Sequence, residues 1–348
     1  MDTFPSLDHL GNIYEVLSGK YIESEEIKCE VEKRSLFLLN NGFAKKNIYI
    51  AHSSSISFFC DLLAVWKIKS LAICIDSSVG NTDLANMTRI IKPDLFLINK
   101  GNTYKHIIDS QFCIDLSRDN INQNKNYCLN YEPFNIDDPV LLLFTSGSTG
   151  LPKGVVHTRK SLENKWIVLK KYLNLSEIRE TLCPLSTSFG HGLICNSLFP
   201  LLNSSNLHIL EKRDLEGLLS IPSYIKTKKI TFMSSVPSLW NILLNTSKSI
   251  NANSFQRVHI GSSPLSVRLA KNINNWFGNN PKIFNTYGIT ETGSWISGGE
   301  ILKENSEARD GFIGKGWDGD ILIVKNYNEK INSNNIIEAK DGEIGEIW

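Results

Sequence analysis

The sequence has 348 residues, with 37 Lys or Arg against 36 Asp or Glu and a formal net charge of +1. This balance excludes a polybasic nucleic-acid-binding protein and an acidic disordered chain. Hydrophobic residues make up 41% of the chain. That content supports a sizeable core and about two domains, if one domain averages roughly 150 residues.

No apolar run approaches the roughly 18 residues of a membrane span. The first residues, MDTFPS, have neither the basic nor the apolar region of a secretory signal. Seven cysteines occur singly, without CxxC spacing. We therefore expect reduced, mostly buried thiols instead of disulfides or a zinc site, and a cytoplasmic globular protein with no membrane span and no nucleic-acid partner.

Short β-branched runs alternate with stretches of helical period along most of the chain. In the first half the predicted strands are 47–51, 71–75, 95–98 and 140–144, and the predicted helices are 56–66 and 81–91. In the second half the predicted strands are 207–210, 230–233, 258–260 and 283–284, and the predicted helices are 214–226, 237–244 and 266–277. Repeated βα units of this kind predict an α/β fold, in which mostly parallel sheets are covered by helices.

Two regions interrupt this pattern. Residues 117–138 are polar and Asn-rich, which is typical of a long surface connection. After about residue 300, Gly-punctuated strand-like segments replace the helices, at 320–324, 336–337 and 345–348. We therefore predict a first α/β subdomain over 1–139, a second over 140–300, and a partial β subdomain over 301–348.

The final strand-like segment stops without a turn or a polar tail. We expect that the chain has been cut there; a natural C-terminal edge strand is the alternative.

A glycine-rich segment directly follows the apolar run 140–144. It reads Thr145-Ser146-Gly147-Ser148-Thr149-Gly150-Leu151-Pro152-Lys153-Gly154. Glycines let backbone N–H groups turn toward an anion, hydroxyls donate further hydrogen bonds, and the lysine adds charge. The segment therefore predicts a phosphate-binding loop. Pro152 precedes Lys153 and Gly154 follows it, which disfavours a Walker A loop and an ordinary P-loop ATPase.

These ten residues resemble the phosphate loop of the adenylate-forming superfamily, which comprises acyl- and aryl-CoA ligases, nonribosomal peptide adenylation domains and firefly-type luciferases. A second segment, Asn285-Thr286-Tyr287-Gly288-Ile289-Thr290-Glu291, matches the Tyr-Gly-x-Thr-Glu motif of that family. Weaker matches occur at 184–192, 258–265, 313–315 and 341–348. The resemblance is strong over 140–348 and rests on the α/β pattern alone over 1–139. It implies the N-terminal core of such a ligase and the start of a small β-barrel subdomain.

The resemblance also implies ATP and Mg²⁺ as cofactors, and it assigns roles to individual residues. Glu291 is the expected Mg²⁺ ligand, Thr290 donates to the α-phosphate, and both are expected to be catalytic together with His191. The residues expected to bind the nucleotide are Thr145, Ser146, Gly147, Ser148, Thr149, Gly150, Lys153, Gly261, Ser262, Asn285, Thr286, Tyr287 and Gly288. Among these, Tyr287 and Asn285 are expected to flank the adenine, and Gly261 and Ser262 to line the base and acyl pocket.

The segment around His191 bears on the substrate. In the resembling CoA ligases a histidine here borders the acyl pocket; the alternative is a purely structural, hydrogen-bonded histidine. Peptide-synthetase domains that select α-amino acids place an Asp near this point, whereas residues 186–195 contain no acid. An unpaired buried ammonium group is costly, so a carboxylic acid without an α-amino group is favoured.

The family's catalytic lysine and its ribose-binding Thr-Gly-Asp motif do not occur in these 348 residues, and Lys153 is not expected to replace that lysine. The favoured function is therefore an incomplete acid–thiol ligase core, which passes its product to CoA or to the phosphopantetheine thiol of a carrier protein, with a separate C-terminal domain as an expected partner. The alternatives are a non-catalytic nucleotide-binding module and an amino-acid adenylation domain.

Overall fold

The computed structural model describes residues 4–52, 54–99, 113–117, 135–146, 151–303, 309–325, 338–340 and 342–347. The strands are β1 (Ile13–Glu15), β2 (Tyr21–Ile22), β3 (Asn47–Ile50), β4 (Leu71–Cys74), β5 (Leu95–Leu97), β6 (Cys113–Ile114), β7 (Pro139–Ser146), β8 (Pro152–Thr158), β9 (Glu180–Cys183), β10 (Asn206–Ile209), β11 (Phe232–Ser235), β12 (Arg257–Gly261), β13 (Lys282–Ile289), β14 (Ser294–Glu300), β15 (Lys315–Gly316), β16 (Ile323–Val324) and β17 (Glu346–Ile347). The helices are α1 (Ser24–Asn40), α2 (Ile56–Lys67), α3 (Asn81–Ile90), α4 (Arg159–Tyr172), α5 (Phe199–Leu201), α6 (Leu215–Thr227), α7 (Pro237–Thr246) and α8 (Val267–Phe277). A π-helix covers His191–Leu198 and a 3₁₀ turn covers Thr290–Thr292.

These strands form two large sheets and one small one. The six-stranded sheet has the order β6-β5-β3-β4-β7-β8, parallel except for β8 at one edge. The nine-stranded sheet has the order β15-β14-β13-β12-β11-β9-β10-β1-β2, parallel from β13 to β1. Strands β16 and β17 pair with each other. The predicted α/β fold with mostly parallel sheets is confirmed.

The two large sheets share one hydrophobic core. Its largest cluster includes Ile48 and Leu141 from the first sheet and Leu207 and Phe232 from the second. Helix α2 lies in this shared core, which explains why every residue from 58 to 66 is buried. A helix buried on most sides needs a largely apolar sequence, as α2 has, and its buried exception, Asp61, is paired with Arg34 and His52. The Ser55 side chain accepts a hydrogen bond from Phe58 N at the start of the helix.

The sheets are built from interleaved parts of the chain. Strands β7 and β8 complete the first sheet, although all of their residues except Pro139 lie beyond the predicted boundary at residue 139, and β1 pairs with β10 in the second. The predicted subdomain boundaries at 139/140 and 300/301 stay a prediction. Among the described residues, no helix is both long and apolar enough to cross a membrane.

Several predicted elements differ from the observed ones. The predicted strand 230–233 is shifted by two residues to β11, and the predicted strand 283–284 is the eight-residue β13. Of the predicted strand 320–324 only β16 forms, while 336–337 and most of the predicted connection 117–138 lie outside the described residues. Helix α1 was not predicted, because its sequence is mostly polar. Its apolar residues form only a narrow buried face, which includes Ile27, Val31 and Leu38.

Candidate functional site

The predicted site segments meet where the parallel strands of both large sheets end. Among the described residues, those that follow β9, β11, β12 and β13 lie at carboxyl ends of parallel strands of the nine-stranded sheet, and Thr145 and Ser146 lie at the carboxyl end of β7 in the six-stranded sheet. In α/β sheets, ligands bind at this edge because neighbouring loops diverge there and leave a crevice. The fold therefore brings together segments that are more than a hundred residues apart in sequence.

The glycine-rich segment connects two antiparallel strands. Thr145 lies opposite Lys153 and Ser146 lies opposite Pro152 in the β7–β8 pairing. Residues 147–150, which include the predicted ligands Gly147, Ser148, Thr149 and Gly150, lie outside the described residues. The Thr145 hydroxyl donates to the Lys153 carbonyl oxygen at 3.5 Å, and the Lys153 side chain is exposed. A Walker A lysine begins a helix, whereas Lys153 lies on a strand, so the structure also departs from an ordinary P-loop.

The second motif forms the tip of the β13–β14 hairpin. Thr290, Glu291 and Thr292 make the 3₁₀ turn, and Gly293, with a φ of 69°, continues the chain into β14. Glu291 is exposed and Thr290 is half-buried. Gly288 has no room for a side chain, because a Cβ there would lie 1.9 Å from the Ser294 carbonyl oxygen. The glycine of the motif is thus required by the close approach of the two strands.

His157 belongs to the strand of the first hairpin that packs against this turn. It lies on β8 and is 2% exposed. Burial and the nearby Lys165 charge lower the pKa of His157 to about 4, although the Glu291 charge and the Thr290 backbone act in the opposite direction. The imidazole is therefore neutral at pH 7, and the strand that carries Lys153 lies directly beside the Glu291 turn.

Lys165 supports the same turn from α4. Its Nζ donates to the Trp295 carbonyl oxygen at 2.7 Å. Its aliphatic stem covers Gly293, where an added Cβ would lie 3.3 Å from Lys165 Cε. Burial lowers the pKa of Lys165. Strand β8 and helix α4 together hold the backbone on both sides of Glu291.

The donors around Glu291 fit magnesium. Among the residues that the structure describes, no group of three or more His, Cys, Asp or Glu side chains forms a metal cage. Magnesium needs no such cage, because it is bound through one or two carboxylates and takes its other ligands from phosphate oxygens and water. One exposed carboxylate next to the hairpin that is predicted to bind phosphate therefore fits a magnesium ion that arrives with a nucleotide.

The residues predicted to surround the adenine lie on β12 and β13. Asn285 is 2% exposed and its Nδ2 donates to the Phe312 carbonyl oxygen at 2.7 Å. Thr286 is also buried, and Tyr287 is half-buried on the next position of β13. Gly261 lies close to Thr286, whose carbonyl oxygen would be 2.6 Å from an added Cβ. The predicted adenine roles of these residues stay predictions, and Asn285 also holds the chain at Phe312.

His191 begins the π-helix and joins three strand ends. Its Nε2 lies 2.6 Å from Ser234 Oγ and its Nδ1 lies 3.0 Å from Ser262 Oγ. The ring packs edge-on against Trp295 with 5.4 Å between ring centroids. Burial lowers the pKa of His191 to about 3, so the ring is neutral at pH 7 and carries no charge to a substrate.

An acid from the first sheet contacts the segment before His191. The Asp76 Oδ2 accepts from Ser186 Oγ at 2.7 Å and from Arg213 NH2 at 3.1 Å. Arg213 NH1 also donates to Ser54 Oγ at 2.8 Å, and Ser54 N donates to Thr187 Oγ1 at 3.1 Å. Hydrogen bonds from Ser186 and Ser78 and the Arg213 charge outweigh burial and lower the pKa of Asp76. Residues 186–195 contain no acid themselves. The Asp76 carboxylate, which follows β4 and is paired with Arg213, nevertheless contacts Ser186 of this segment.

We expect Arg213→Met to reduce the free energy of unfolding by about 1 kcal/mol, because the Arg213–Asp76 pair is partly exposed and water screens it. Urea unfolding of R213M, D76N and the double variant measures the coupling between the two side chains. Strictly additive effects of the two substitutions would contradict the expected ion pair.

The sequence matches the model of the family described as "AMP-binding enzyme" over residues 16–348. The chain belongs to the AMP-binding enzyme family. The resemblance that the two motifs indicated is thereby confirmed.

Curated and solved members of this family differ in length from the chain. Tyrocidine synthase 3 of Brevibacillus parabrevis is 34% identical over 159 residues, which are 45% of this chain and 2% of that protein. ATP-bound MatB from Rhodopseudomonas palustris superposes with a TM-score of 0.81 at 18% identity, over 99% of this chain and 68% of MatB. The N-terminal subdomain of Klebsiella oxytoca NpsA, in complex with 3-hydroxyanthranilyl-AMSN, gives a TM-score of 0.78 at 19% identity, over 100% of this chain and 86% of that one. At these identities the structural likeness shows the shared fold.

Within this AMP-binding fold, the structure brings Lys153, Thr290 and Glu291 to one edge and places His191 with Ser262 beside the strand ends. Sequence reasoning missed His157, Lys165, Ser234, Asp76 and Arg213. His157 follows Lys153 at the even spacing of a strand, which would have indicated it once β8 was recognised. The other four contact their partners only through tertiary structure, and no local pattern marks them.

Proposed function

We propose that this chain is the core of an adenylate-forming ligase. A carboxylate oxygen of the acid attacks the α-phosphorus of ATP, the bond between the α-phosphorus and the bridging oxygen breaks, and acyl-AMP and pyrophosphate form. The observation that carries this proposal is the contact between β8, the strand of the glycine-rich hairpin that bears Lys153, and the 3₁₀ turn that bears Glu291. The two segments proposed to bind phosphate and magnesium therefore lie side by side.

In this proposal the residues act by position and charge. Glu291 would hold magnesium, and the ion would supply positive charge that neutralises the triphosphate. Lys153 and the hydroxyls of the hairpin bind the phosphates, and Thr290 donates to the α-phosphate. Reactions at phosphorus are accelerated mainly by alignment and electrostatic stabilisation, which is what these side chains supply.

We infer that the acid has no α-amino group. The Asp76 carboxylate contacts Ser186 in the segment 186–195, and the charge of Arg213 already balances it. An ammonium group buried beside that segment would compete with a guanidinium for one carboxylate, at a cost in free energy. The names of the curated relatives, which are peptide synthases, support the alternative that the substrate is an amino acid.

In the same proposal, the acyl group then passes from acyl-AMP to a thiol, either of CoA or of the phosphopantetheine arm of a carrier protein, and AMP is released.

Calorimetry on the 348-residue chain tests nucleotide binding. We expect both Mg·ATP and AMP to bind, because the hairpin, the Glu291 turn and Tyr287 are present in one chain. Heat signals at the level of the buffer blank for both nucleotides at millimolar concentration, with the protein folded by circular dichroism, would refute the proposal.

A pair of acyl-adenylate mimics tests the acid. The N-acylsulfamoyl adenosines of 3-phenylpropionate and of phenylalanine differ by one ammonium group. We expect the 3-phenylpropionyl compound to bind at least roughly tenfold more tightly, because an unpaired buried polar group costs about 1–3 kcal/mol and a charged one costs more. Tighter binding of the phenylalanyl compound would instead support the amino-acid adenylation domain.

A further inference from the structure

His191 lies between two serine hydroxyls, and the two distances differ. Its Nε2 is 2.6 Å from Ser234 Oγ and its Nδ1 is 3.0 Å from Ser262 Oγ. Hydroxyl groups make shorter hydrogen bonds as donors than N–H groups do, whose distances to oxygen cluster at about 2.9–3.0 Å. The short contact therefore fits a Ser234 hydroxyl that donates to Nε2, and the longer one fits a ring N–H that donates from Nδ1 to Ser262.

The other acceptor within reach of the Ser234 hydroxyl is the weaker one. Ser234 Oγ lies 3.4 Å from the His259 carbonyl oxygen, which also accepts from Ser235 Oγ at 3.2 Å. Ser234 is fully buried, so its proton belongs on the closer partner, His191 Nε2. A neutral imidazole carries one N–H, and acceptance at Nε2 places that proton on Nδ1.

Ser262 receives the Nδ1 proton in a strained backbone conformation. It follows Gly261 at the carboxyl end of β12, is exposed, and has a φ of 63°. A residue other than glycine is uncommon in this left-handed region, and such strain persists only where the surrounding structure holds it. The hydrogen bond from the buried His191 is a contact of this kind.

The hydroxyl proton of Ser262 is left to donate away from His191. Its Oγ accepts from Nδ1, and no other described residue hydrogen-bonds to this Oγ. The acceptor side of the hydroxyl therefore faces a buried ring, while its donor side faces the edge where the parallel strands end. A group of this polarity binds an acceptor atom, such as a carboxylate oxygen, and gives no hydrogen bond to an ammonium group.

We propose that Ser262 is a specificity-determining residue whose hydroxyl donates to an oxygen of the substrate carboxylate, and that Ser234 and His191 are positioning residues that keep this hydroxyl aimed as a donor. The inference rests on the proposed function, because it assumes that an acid binds beside β12. The same oxygen becomes the acyl carbonyl oxygen of acyl-AMP, so the contact persists in the product.

Three variants and one control separate the hydroxyls from strain and packing. S262A removes the hydroxyl and keeps the strained φ, whereas S262G removes both, because glycine adopts a positive φ readily. S234A removes the hydroxyl that fixes the His191 tautomer, in a fully buried position. The matched control is S235A, the same change at the next position of β11, where Ser235 is equally buried and accepts from Trp240 Nε1.

The probes are two adenosine derivatives that differ by one acyl group. Sulfamoyl adenosine has none, and N-acetylsulfamoyl adenosine adds the smallest, whose carbonyl oxygen represents the carboxylate oxygen. Calorimetry on the 348-residue chain gives the ratio of their two dissociation constants, here called the acyl ratio. We expect the acetyl compound to bind at least tenfold more tightly to the unmodified chain, and S262A, S262G and S234A each to lower the acyl ratio about five- to tenfold, the worth of one hydrogen bond. Sulfamoyl adenosine should bind all variants within twofold, and S235A should keep the acyl ratio.

Nitrogen-15 spectra of histidine-labelled protein test the tautomer without a ligand. An unprotonated imidazole nitrogen resonates far downfield of a protonated one, and comparison with H191N assigns the signals of His191. We expect the proton on Nδ1 in the unmodified chain and in S235A, and a mixture of both tautomers in S234A, where the donor to Nε2 is lost.

The outcomes distinguish this inference from the proposed function. If neither AMP nor sulfamoyl adenosine binds the unmodified chain, the proposed function fails and the inference fails with it. If nucleotide binds but the acyl ratio is near one, or is unchanged in S262A and S262G, the role of Ser262 is overturned while nucleotide binding stands; a loss confined to S262A would assign the effect to strain and overturn it too.

The positioning roles have their own contrary results. A proton on Nε2, an unchanged acyl ratio in S234A, or an equal loss in S235A overturns the contribution of Ser234. If S234A does not fold, the spectrum of the unmodified chain and the two Ser262 variants decide, since Ser262 is exposed.

Discussion

Glu291→Gln is expected to remove metal-dependent ATP binding while AMP binding stays within about twofold. The substitution keeps the shape of the side chain and removes the charge that Mg²⁺ requires of its protein ligand. Losing one partner of such a charge pair costs about 2 kcal/mol or more, which is roughly thirtyfold in the dissociation constant of Mg·ATP. AMP has no β- and γ-phosphates to share a magnesium ion with the carboxylate, so its binding depends little on Glu291.

The measurement is calorimetry with Mg·ATP, with ATP in EDTA, and with AMP. In the unmodified chain we expect EDTA to weaken ATP binding, and in E291Q we expect EDTA to make no difference. Glu216→Gln is the matched control, because it makes the same chemical change at an exposed position of α6. Stability should change by less than about 0.5 kcal/mol, since Glu291 is exposed. Equal weakening of ATP and AMP by E291Q would give Glu291 a structural role.

The fold could be predicted where the sequence pattern is local. Strands β3, β4 and β5 are short apolar runs buried on both faces, and each was predicted within one residue of its observed ends. Strand β8 was not predicted, because Lys153, Gly154 and His157 interrupt any apolar pattern. Its structure comes from pairing with β7, a tertiary interaction that periodicity does not express.

The candidate site shows the same division. Motif residues such as Glu291 and Lys153 could be named from the sequence, since their chemistry and spacing are specific. Their surroundings could not be named, because the neutral state of His191 depends on its burial, with Ser234 and Ser262 at its two nitrogens. Likewise, the absence of an acid from residues 186–195 is real, yet Asp76 contacts Ser186 from another sheet. Sequence spacing therefore indicates candidate ligands, whereas tertiary packing determines the protonation state and charge of the groups around them.

The last expected result is a steep loss of stability in acid. Burial lowers the pKa of His191 to about 3 and that of His157 to about 4, and the pKa of His259 is also well below its ordinary value because of burial and the Arg257 charge. In the unfolded chain these rings take up protons near pH 6.5. Between pH 6.5 and 4 the unfolded state therefore binds more protons, and the free energy of unfolding falls as the pH falls.

The size of the effect follows from the slope for each group. One histidine that is protonated only in the unfolded state changes the free energy of unfolding by about 1.4 kcal/mol per pH unit. At pH 4, His191 and His157 each account for roughly 3 kcal/mol on this basis, which together is a large part of the 5–15 kcal/mol that stabilises a typical domain. We expect unfolding between about pH 4 and 5 at room temperature.

His191→Asn isolates the contribution of one of these rings, which has a hydrogen-bond partner at each nitrogen. The amide does not titrate, so the variant should be less stable at pH 7.5, where hydrogen bonds to Ser234 and Ser262 are weakened, and should lose stability less steeply below pH 6.5. Urea unfolding at half-unit pH steps gives both quantities, and His9→Asn, at an exposed position, is the control that should leave the slope unchanged. If the slope of H191N equals that of the unmodified chain, His191 is protonated in the folded protein near pH 6, and its ring would then carry a positive charge between Ser234 and Ser262.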